Sequence, residues 1–468
     1  MLSRTGNYLS TKAEIKQLGL LALPIMFSRF SFVAIGFIGI VMAGQISTVD
    51  LAAVATGSNI FGFLVHISTG VLSALTPQLA FFFGKKQYDR MAIKMTQALW
   101  VALALGLVMA FCFQNIEPLL QWYEVSPELK NRISQYLYII SWGMPAMMLV
   151  QLLISFFNSI GQPKPVMFIV LIAMLLNIPV NALFIYGWFG LEPLGGIGCG
   201  WGVTFTAVFM LMALFVYYLK QYAHFRLFRF YLAVRINQLK QFLKLGLPIS
   251  GQIFAELSIM TAISLSIAHL DPTLIAAHQI AINVSEFLLT VLFGISIAIT
   301  IRTGQTLGQK EPQLAARRSW FAVKLAALIG FVFMAVVLLF SQKIPMLYSN
   351  DAAILEVASP LMFFVAILHF FAALKVGVVG ALKGYHDTAL TVLIYIIGYF
   401  CLVFPLGSYF STFKGQAVQG FWYALILGTA LIALLVSLRL RYITENKSFF
   451  RKQFKNAGEK KDSVASSI

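Results

Sequence analysis

Ionisable side chains are scarce in this chain, and the informative ones inside long apolar stretches are Arg29, Glu256, His278, Glu286 and Lys375. Burying an ionisable group in an apolar membrane segment is expensive, so each of these positions is a candidate for binding or proton transfer. A carboxylate in such a setting can take up a proton or hold a cation, and a nearby ammonium can pair with it. These residues predict proton or cation chemistry inside a membrane.

Glu256 and Lys375 are predicted to lie at similar depths. Glu256 follows Lys244 by 12 residues, which is about 18 Å along a helix that rises ~1.5 Å per residue. Lys375 precedes Lys383 by 8 residues, about 12 Å from the same side. The difference of about 6 Å is within reach of two long side chains if their helices adjoin. Two alternatives stay open: Lys375 pairs with Glu256, or its ammonium extends to the water interface.

Two asparagines share one face of a predicted helix. Asn177 and Asn181 are spaced i,i+4, and Pro179 between them frees a backbone carbonyl inside the segment. Such amides can form interhelical hydrogen bonds or contact a bound molecule. The lone histidines His66 and His369 are interpreted as core residues, and Arg302 is interpreted as a fixed interhelical contact.

The elements that must position these residues are membrane-spanning helices. The chain has 468 residues, of which 59% are hydrophobic and 11% charged, with a mean hydropathy of +0.84, whereas soluble domains carry about 25% charged residues. A large soluble domain is therefore excluded. Apolar runs of the ~20 residues that span a bilayer predict twelve helices, at 18–43, 51–83, 95–116, 133–159, 165–189, 196–219, 245–270, 273–307, 319–342, 353–382, 388–412 and 416–438.

The distribution of positive charge supports the same topology. With both termini in the cytoplasm, 26 of the 34 Lys and Arg residues fall in cytoplasmic segments and 4 on the opposite side, as the positive-inside rule requires. The net charge of +17 therefore indicates membrane topology and not nucleic-acid binding. We expect no cleavable signal peptide, and a basic tail that lies near anionic headgroups.

The residues offer little for catalysis. The cysteines Cys112, Cys199 and Cys401 show no disulfide or metal-ligand spacing. No nucleophile–base pair, metal-ligand cluster or glycine-rich nucleotide loop is visible. We therefore expect a chain that is not an enzyme, holds no cofactor or metal, and does not use ATP.

The chain also repeats itself at an offset of 224 residues. "LALPI" at 21–25 aligns with "LGLPI" at 245–249, and the same offset pairs Asn59 with Asn283 and Gly84 with Gly308. Near the fourth and tenth spans the best offset is 223, which pairs Gly161 with Gly384. Six spans per half make both halves enter the membrane from the same side, so the predicted symmetry axis runs along the membrane normal. Two such bundles are typical of alternating access.

Several segments resemble the MATE (multidrug and toxic compound extrusion) family, and in particular its NorM-type bacterial exporters. The resemblance runs from about residue 14 to 440 and rests on "VMAGQISTVDLAAVA" at 41–55, "NIPVNALFIYG" at 177–187, "GLPISGQIFAE" at 246–256, "AAHQIAINV" at 276–284, "RTGQTLGQ" at 302–309 and "GALKGYHDT" at 380–388. It implies a monomeric antiporter of the inner membrane that exports organic, often cationic and aromatic drugs in exchange for H+ or Na+ by alternating access.

The resemblance also implies roles for individual residues. Glu256 matches the family's cation-binding glutamate of the second half, and His278 lies in a family motif, either as an ion-coupling group or as a core histidine. Asn177 and Asn181 match the polar network of the first half. Phe254 lies on the seventh span, near the expected cleft, and would suit flat apolar cargo.

Two family carboxylates are missing. The stretch that usually carries an aspartate in the first span reads "IGIVMAG" here, so its position is Gly39, and the acid expected in the tenth span aligns with Ala372. A lone carboxylate is a poor site for a hard cation such as Na+. Arg29 either lines the cleft, where it would disfavour cationic cargo, or pairs with Glu286. A basic cleft would suit the alternative function, a lipid-linked oligosaccharide flippase of the same superfamily.

The predicted fold is thus all-α and transmembrane, with twelve helices in two six-helix bundles related by a pseudo-twofold axis along the membrane normal. We assign residues 1–219 to an N-lobe, 220–244 to a cytoplasmic linker, 245–440 to a C-lobe and 441–468 to a basic cytoplasmic tail. Partners beyond the lipid bilayer and small molecules are not expected.

Overall fold

The computed structural model describes residues 11–121, 125–225, 227, 234–412 and 417–446, and these residues form helices joined by short loops. Twelve apolar segments follow one another. They are α1 (Thr11–Gly44), α2 (Thr48–Gly84), α3 (Tyr88–Gln114), α4 (Pro127–Ser159), α5 (Pro163–Tyr186), α6 (Gly195–Gln221), α7 (Ile236–Ser266), α8 (Pro272–Gly308), α9 (Pro312–Leu339), α10 (Ala352–Gly384), α11 (Ala389–Thr412) and α12 (Ala417–Glu445).

Eleven of these segments are long and apolar enough to cross a membrane as they stand, and the fourth does so as a broken pair. In α4 the helices Pro127–Ser141 and Met144–Ser159 meet at a bend of 51°. Pro145 stands at the start of the second helix, where its ring cannot continue the preceding helix. Counting the bent pair as one span, the predicted number of twelve is confirmed.

The hydrophobic cores show how the halves are joined. One core is built mainly from α2–α6 and the other from α8–α12, but each also takes in the first turns of a helix from the opposite half. Leu18, Leu21 and Ile25 of α1 pack in the second core. Their partners at offset 224, Phe242, Leu245 and Ile249 of α7, pack in the first core. The exchange is reciprocal, as a twofold axis between the halves requires.

Aromatic pairs across the two halves obey the same symmetry. The ring centroids of Phe30 and Phe287 lie 5.0 Å apart, and those of Phe63 and Phe254 lie 6.0 Å apart. Adding 224 converts Phe30 into Phe254 and Phe63 into Phe287. The two contacts are therefore equivalent under the twofold symmetry of the repeat.

Glycines allow the closest approach of the lobes. A Cβ at Gly84 would overlap the backbone of Gln305, and a Cβ at Gly308 would overlap the backbone of Phe81. Gly84 and Phe81 become Gly308 and Gln305 at offset 224, so this contact is also reciprocal. The duplicated architecture of two six-helix bundles is confirmed in the described residues.

The local offset near α4 and α10 was predicted wrongly. Gly161 and His386 both have positive φ, 78° and 60°, and they occupy the same hydrogen-bonded turn after their helices. This turn pairs Gly161 with His386, an offset of 225 and not the 223 that pairs it with Gly384. A single glycine match misled the alignment, because a turn with positive φ favours glycine without requiring it.

The predicted lobe boundaries remain predictions. α6 ends at Gln221 and α7 begins at Ile236, so the proposed linker 220–244 contains the first turns of α7. α12 continues to Glu445, five residues into the proposed tail. The tail residues 447–468 and linker residues 226 and 228–233 lie outside the described part of the chain.

Candidate functional site

An ion pair lies inside the C-lobe. Lys375 on α10 is 1% exposed, and its Nζ donates to Oε1 of Glu256 on α7 at 2.7 Å. The exposed fractions of the two side chains are 2% for Lys375 and 16% for Glu256. The alternative in which Lys375 extends to the interface is wrong, and the predicted pair is formed. Because the pair is largely removed from water, each charge depends on the other for stabilisation.

Two tyrosines of α11 complete the site. The Tyr399 hydroxyl accepts from Lys375 Nζ at 2.8 Å and lies 3.4 Å from Oε1 of Glu256, to which it donates. The ammonium also lies 5.2 Å from the ring centroid of Tyr395 and 5.4 Å from that of Tyr399, within the range of cation–π attraction. The ammonium is therefore held by a carboxylate, a hydroxyl and two aromatic rings.

An irregularity of the backbone places Tyr399. Residues Ile397–Val403 of α11 form a π-helical segment, and such segments are often found at functional sites. Sequence reasoning did not single out Tyr395 or Tyr399. Their i,i+4 spacing on a span that follows Lys375 was the available signal, since two hydroxyls on one helix face inside an apolar span need polar partners.

A small cavity adjoins Glu256. It measures about 20 Å3, roughly the room that one water molecule needs. Its lining is formed by α7, α8, α10 and α11, and consists of Gln252, Ile253, Glu256, Phe293, Ser296, Val376, Val379, Lys383 and Tyr395. A second cation, Lys383, thus borders the cavity, about two helical turns after Lys375 on α10. The cavity gives a proton or a small polar molecule a place next to the carboxylate.

The position of the missing C-lobe acid lies beside the pair. Ala372 is buried on α10, one helical turn before Lys375 and on the same face. Among the described residues, no group of three His, Cys, Asp or Glu side chains could hold a metal ion. The chemistry that this arrangement supports is the making and breaking of one internal ion pair at Glu256.

The corresponding region of the N-lobe is polar and uncharged. Asn181 Nδ2 donates to Asn177 Oδ1 at 2.9 Å, and Asn177 Nδ2 donates to Thr206 Oγ1 at 3.1 Å. Both asparagines are buried, and Oδ1 of Asn181 has no hydrogen-bond partner among the described residues. Gly202 of α6 makes room for this chain of amides, because a Cβ there would overlap Oδ1 of Asn181.

Gly39, where the family usually has an aspartate, faces α6. The thiol of Cys199 donates to the Gly39 carbonyl oxygen at 3.3 Å, and a Cβ built on Gly39 would lie 3.5 Å from the Cβ of Cys199. That distance is ordinary van der Waals contact. The position could therefore accept a methyl group without displacing its neighbours.

His278 does not join the ion pair. It is buried near the start of α8, where its Nδ1 accepts from Trp422 Nε1 at 3.2 Å. Ser296, on the same helix, lines the cavity beside Glu256, and 18 residues of helix separate the two positions by about 27 Å. The structure thus favours a hydrogen-bonded core histidine, while its predicted ion-coupling role remains untested.

Arg29 and Glu286 stay apart as well. Arg29 is partly buried on α1 and Glu286 is exposed on α8, and no ion pair joins them within the described residues. Phe254 is 47% exposed and touches the other lobe through Phe63. It therefore lies at the junction between the lobes, as its predicted place near the cleft requires.

The two lone histidines differ. His369 is buried, with Nδ1 2.8 Å from the Val365 carbonyl oxygen and Nε2 3.0 Å from that of Ser285, as expected of a core residue. His66 is exposed and bonds to the Gly62 carbonyl oxygen at 2.6 Å through Nδ1. The interpretation of His66 as a core residue is therefore wrong. An exposed position inside a span has the same apolar neighbours in sequence as a buried one.

An ion cluster ties the lobes together near the first turn of α1. Arg302 Nη2 donates to Oε2 of Glu14 at 2.8 Å, and its Nε donates to Oε1 at 3.2 Å. Arg318 Nε lies 3.4 Å from Oε2 of the same carboxylate. Arg302 is thus the interhelical contact that the sequence predicts. Its partner Glu14 was not identified, because nothing in the apolar pattern relates two residues 288 positions apart.

Together, the duplicated helical bundle and a buried titratable pair define a multi-pass membrane transporter. The MatE family model matches residues 24–183 and 248–409, two segments whose first residues are separated by the repeat offset of 224. The chain belongs to this family of multidrug efflux transporters. It is a transporter and not an enzyme, as the sequence predicts.

Named relatives agree with this assignment. The chain is 35% identical over 443 residues to the multidrug resistance protein PmpM of Pseudomonas aeruginosa, covering 92% of each chain. It is 30% identical to the probable multidrug resistance protein NorM of Acinetobacter baylyi, covering 91% of this chain and 96% of the relative. The fold is similar to the crystal structure of the eukaryotic MATE transporter AtDTX14, with a TM-score of 0.85, 16% identity and coverage of 94% and 98%.

Proposed function

We propose that this chain exports drug-sized organic compounds, often cationic and aromatic, in exchange for protons by alternating access, with Glu256 as the proton-carrying group. The observation that carries the proposal is the position of Lys375, whose ammonium is 2.7 Å from Glu256. Two relatives that align with this chain over most of their length are named multidrug resistance proteins. The proposed location is the inner membrane, with both termini in the cytoplasm and a single chain as the working unit.

The proton is favoured over sodium by the contents of the site. A hard cation such as Na+ needs several oxygen ligands, but the nearest oxygens of Glu256 and Tyr399 are already engaged by an ammonium. A second cation in this place would be repelled by Lys375. A proton on Glu256 instead removes its negative charge. The ammonium of Lys375 then keeps only the Tyr399 hydroxyl and the rings of Tyr395 and Tyr399 as partners.

The two lobes supply the moving parts. Their reciprocal contacts at Gly84 and Gly308 close the molecule at the side where α1 begins, and the positive-inside rule predicts that this side is cytoplasmic. Breaking the Lys375–Glu256 pair changes the packing of α7 against α10 and α11 inside the C-lobe. We propose that this change is coupled to the rearrangement of the lobes that opens one side and closes the other.

The experiment is efflux of ethidium from proteoliposomes under an imposed proton gradient or an imposed sodium gradient. The wild type is expected to respond to the proton gradient, and Glu256→Gln is expected to fall to the rate of empty liposomes. Glu356→Gln is the matched control, because Glu356 is an exposed carboxylate near the start of α10. Efflux driven by sodium alone, or unchanged proton-driven efflux in Glu256→Gln, would contradict the proposal.

A charge swap tests the pair itself. Glu256→Lys and Lys375→Glu each leave two like charges in a site with little water, so both single variants are expected to lose transport. The double variant restores opposite charges and is expected to recover part of it. If the double variant is no better than the single ones, the pair has no role in coupling.

The alternative of an oligosaccharide flippase is not favoured. The relatives are named for multidrug resistance, and the positive charge of Lys375 is neutralised by Glu256. Arg29 forms no ion pair within the described residues, but a single guanidinium does not make a cleft basic.

A further inference from the structure

A second cavity, of about 330 Å3, lies between the two lobes at the side where α1 begins. Its volume is in the range of ligand pockets. The walls come from α1, α2, the turn between α4 and α5 (160–162) and α5 of the N-lobe, and from α8 of the C-lobe. The polar lining consists of Gln17, Gln162, Lys164, Arg302 and Gln305. The proposed coupling mechanism makes no use of this pocket.

The twofold mate of this pocket is filled. The turn at Gly161 lines the pocket and faces the side chain of Gln305. The equivalent turn residue in the other half is His386, and the residue at offset 224 from Gln305 is Phe81. The rings of His386 and Phe81 meet edge to face with centroids 5.7 Å apart. The same backbone therefore packs tightly at one junction and leaves a cavity at the other, so the cavity is not a requirement of the fold.

The charges around the pocket favour an anion. Lys164 is exposed and forms no ion pair within the described residues. Arg302 uses Nε and Nη2 on Glu14, while its Nη1 has no hydrogen bond in the described part of the chain. Among the described residues, the carboxylate of Glu14 is shared by Arg302 and Arg318, and that of Glu311 also acts on Arg318. Two carboxylates therefore face three cations, Lys164, Arg302 and Arg318. The junction therefore keeps a net positive charge.

The pocket continues into an apolar stripe on α1. Leu20 lines the pocket and is 47% exposed, and Leu23 and Phe27 are 54% and 60% exposed. These residues are spaced i, i+3 and i+7, so they share one helix face. Exposed apolar side chains on a membrane-spanning helix contact lipid chains. A ligand that combines an anionic group with an acyl chain would fit both surfaces at once.

We propose that this pocket binds an anionic phospholipid, with its phosphodiester between Lys164 and Arg302 and an acyl chain along Leu20, Leu23 and Phe27. Basic pockets between membrane helices on the cytoplasmic side hold such headgroups. Because the two cations belong to different lobes, the bound headgroup bridges the closed junction. A ligand that binds only the closed arrangement stabilises it.

The test is native mass spectrometry of the full chain, purified and incubated with phosphatidylglycerol, phosphatidylcholine or sn-glycerol 3-phosphate. Wild type is expected to retain phosphatidylglycerol in preference to the other two. Lys164→Glu is expected to weaken phosphatidylglycerol binding by about fivefold or more, the size of one basic contact with an anionic lipid surface. Lys16→Glu is the matched control, since Lys16 is an exposed lysine of α1 that does not line the pocket.

The second variant is designed to fill the pocket with an aromatic ring. Gln305→Phe introduces the ring that Phe81 supplies at the other junction, and is expected to abolish lipid retention while the protein remains monodisperse on size-exclusion chromatography. If that variant fails to fold, Lys164→Glu carries the test alone. Equal retention of phosphatidylcholine, or unchanged retention by Lys164→Glu, would overturn the proposal. Binding of glycerol phosphate as tight as that of the lipid would replace it with a soluble-anion site.

Discussion

The two lobes share one backbone and differ in where they place charge. The C-lobe buries Lys375 against Glu256. The residue at offset 224 from Glu256 is Phe32, and the residue that the turn offset of 225 pairs with Lys375 is Val150. The N-lobe thus has apolar side chains at both positions. Duplication preserved the helices and their packing, while this buried ion pair is present in one copy.

The N-lobe keeps a polar network of a different kind. Asn177, Asn181 and Thr206 form a chain of neutral hydrogen bonds, and the nearby position of the usual aspartate is Gly39. Neutral amides inside a bundle fix the packing of helices, but they cannot change charge when a proton arrives. The comparison suggests that the N-lobe is the rigid partner and the C-lobe the responsive one.

The two junctions between the lobes differ in the same way. At one, Glu14 is shared by Arg302 and Arg318. At the other, the repeat partner of Glu14 is Gln238, which accepts from Lys94 Nζ at 2.7 Å. Lys94 is itself the repeat partner of Arg318. The first junction is closed by a carboxylate with two guanidiniums. At the second, one ammonium donates to neutral amides of Gln238 and Gln241, so the first junction is expected to be the stronger.

The largest effect is expected from breaking the C-lobe pair. Lys375→Met leaves the Glu256 carboxylate without its partner, and removing one member of a buried ion pair costs about 3–5 kcal/mol. The free energy of unfolding measured in detergent should fall by this amount. In the double variant Glu256→Gln with Lys375→Met, no uncompensated charge remains, so most of the stability should return. A double variant that loses the sum of the two single effects would show that the side chains are not coupled.

Much of this pair could be predicted from the sequence. The helical rise fixes how far each residue lies from the charged end of its span, so the depths of Glu256 and Lys375 followed from counting. Counting could not show whether α7 and α10 bring the two side chains together, because contacts between spans depend on tertiary packing. The sequence therefore left two alternatives for Lys375, and only the structure distinguishes them.

The remaining misses have two physical causes. The π-helical segment Ile397–Val403 and the bend of α4 are local departures from the α-helix, and an apolar span carries no periodic pattern that would register an extra residue per turn. Tyr399 was overlooked for this reason. Glu14 was overlooked because it precedes the apolar core of α1, where a carboxylate is ordinarily solvated.

A smaller effect is expected at the junctions. Glu14→Gln removes the negative charge that holds two arginines, at a cost of about 2–3 kcal/mol to the closed arrangement. Gln238→Leu removes one hydrogen bond from an ammonium and should cost about half as much. Spin labels at Lys86→Cys and Lys310→Cys, a pair related by the repeat offset of 224, report the separation of the lobes after the native cysteines are replaced. The fraction of long distances should rise more in Glu14→Gln.

If the fraction of long distances rises more in Gln238→Leu than in Glu14→Gln, the charged junction is not the stronger one. Both labelled residues are exposed, so the labels themselves should not disturb packing. A useful control is Glu356→Gln, which removes an exposed carboxylate without touching either junction and should leave the distance distribution unchanged.

The smallest effect concerns the rigidity of the N-lobe network. Gly202→Ala forces a methyl group into Oδ1 of Asn181, and overpacking of this kind costs about 1–2 kcal/mol. Gly39→Ala is the matched substitution, because its methyl would lie at ordinary contact distance from Cys199, and alanine is the better helix former. The midpoint temperature of thermal unfolding in detergent should therefore fall for Gly202→Ala and stay level or rise for Gly39→Ala. If both glycines tolerate alanine equally, the amide chain is not tightly packed, and the N-lobe would have to be counted as a second adaptable region beside the C-lobe pair.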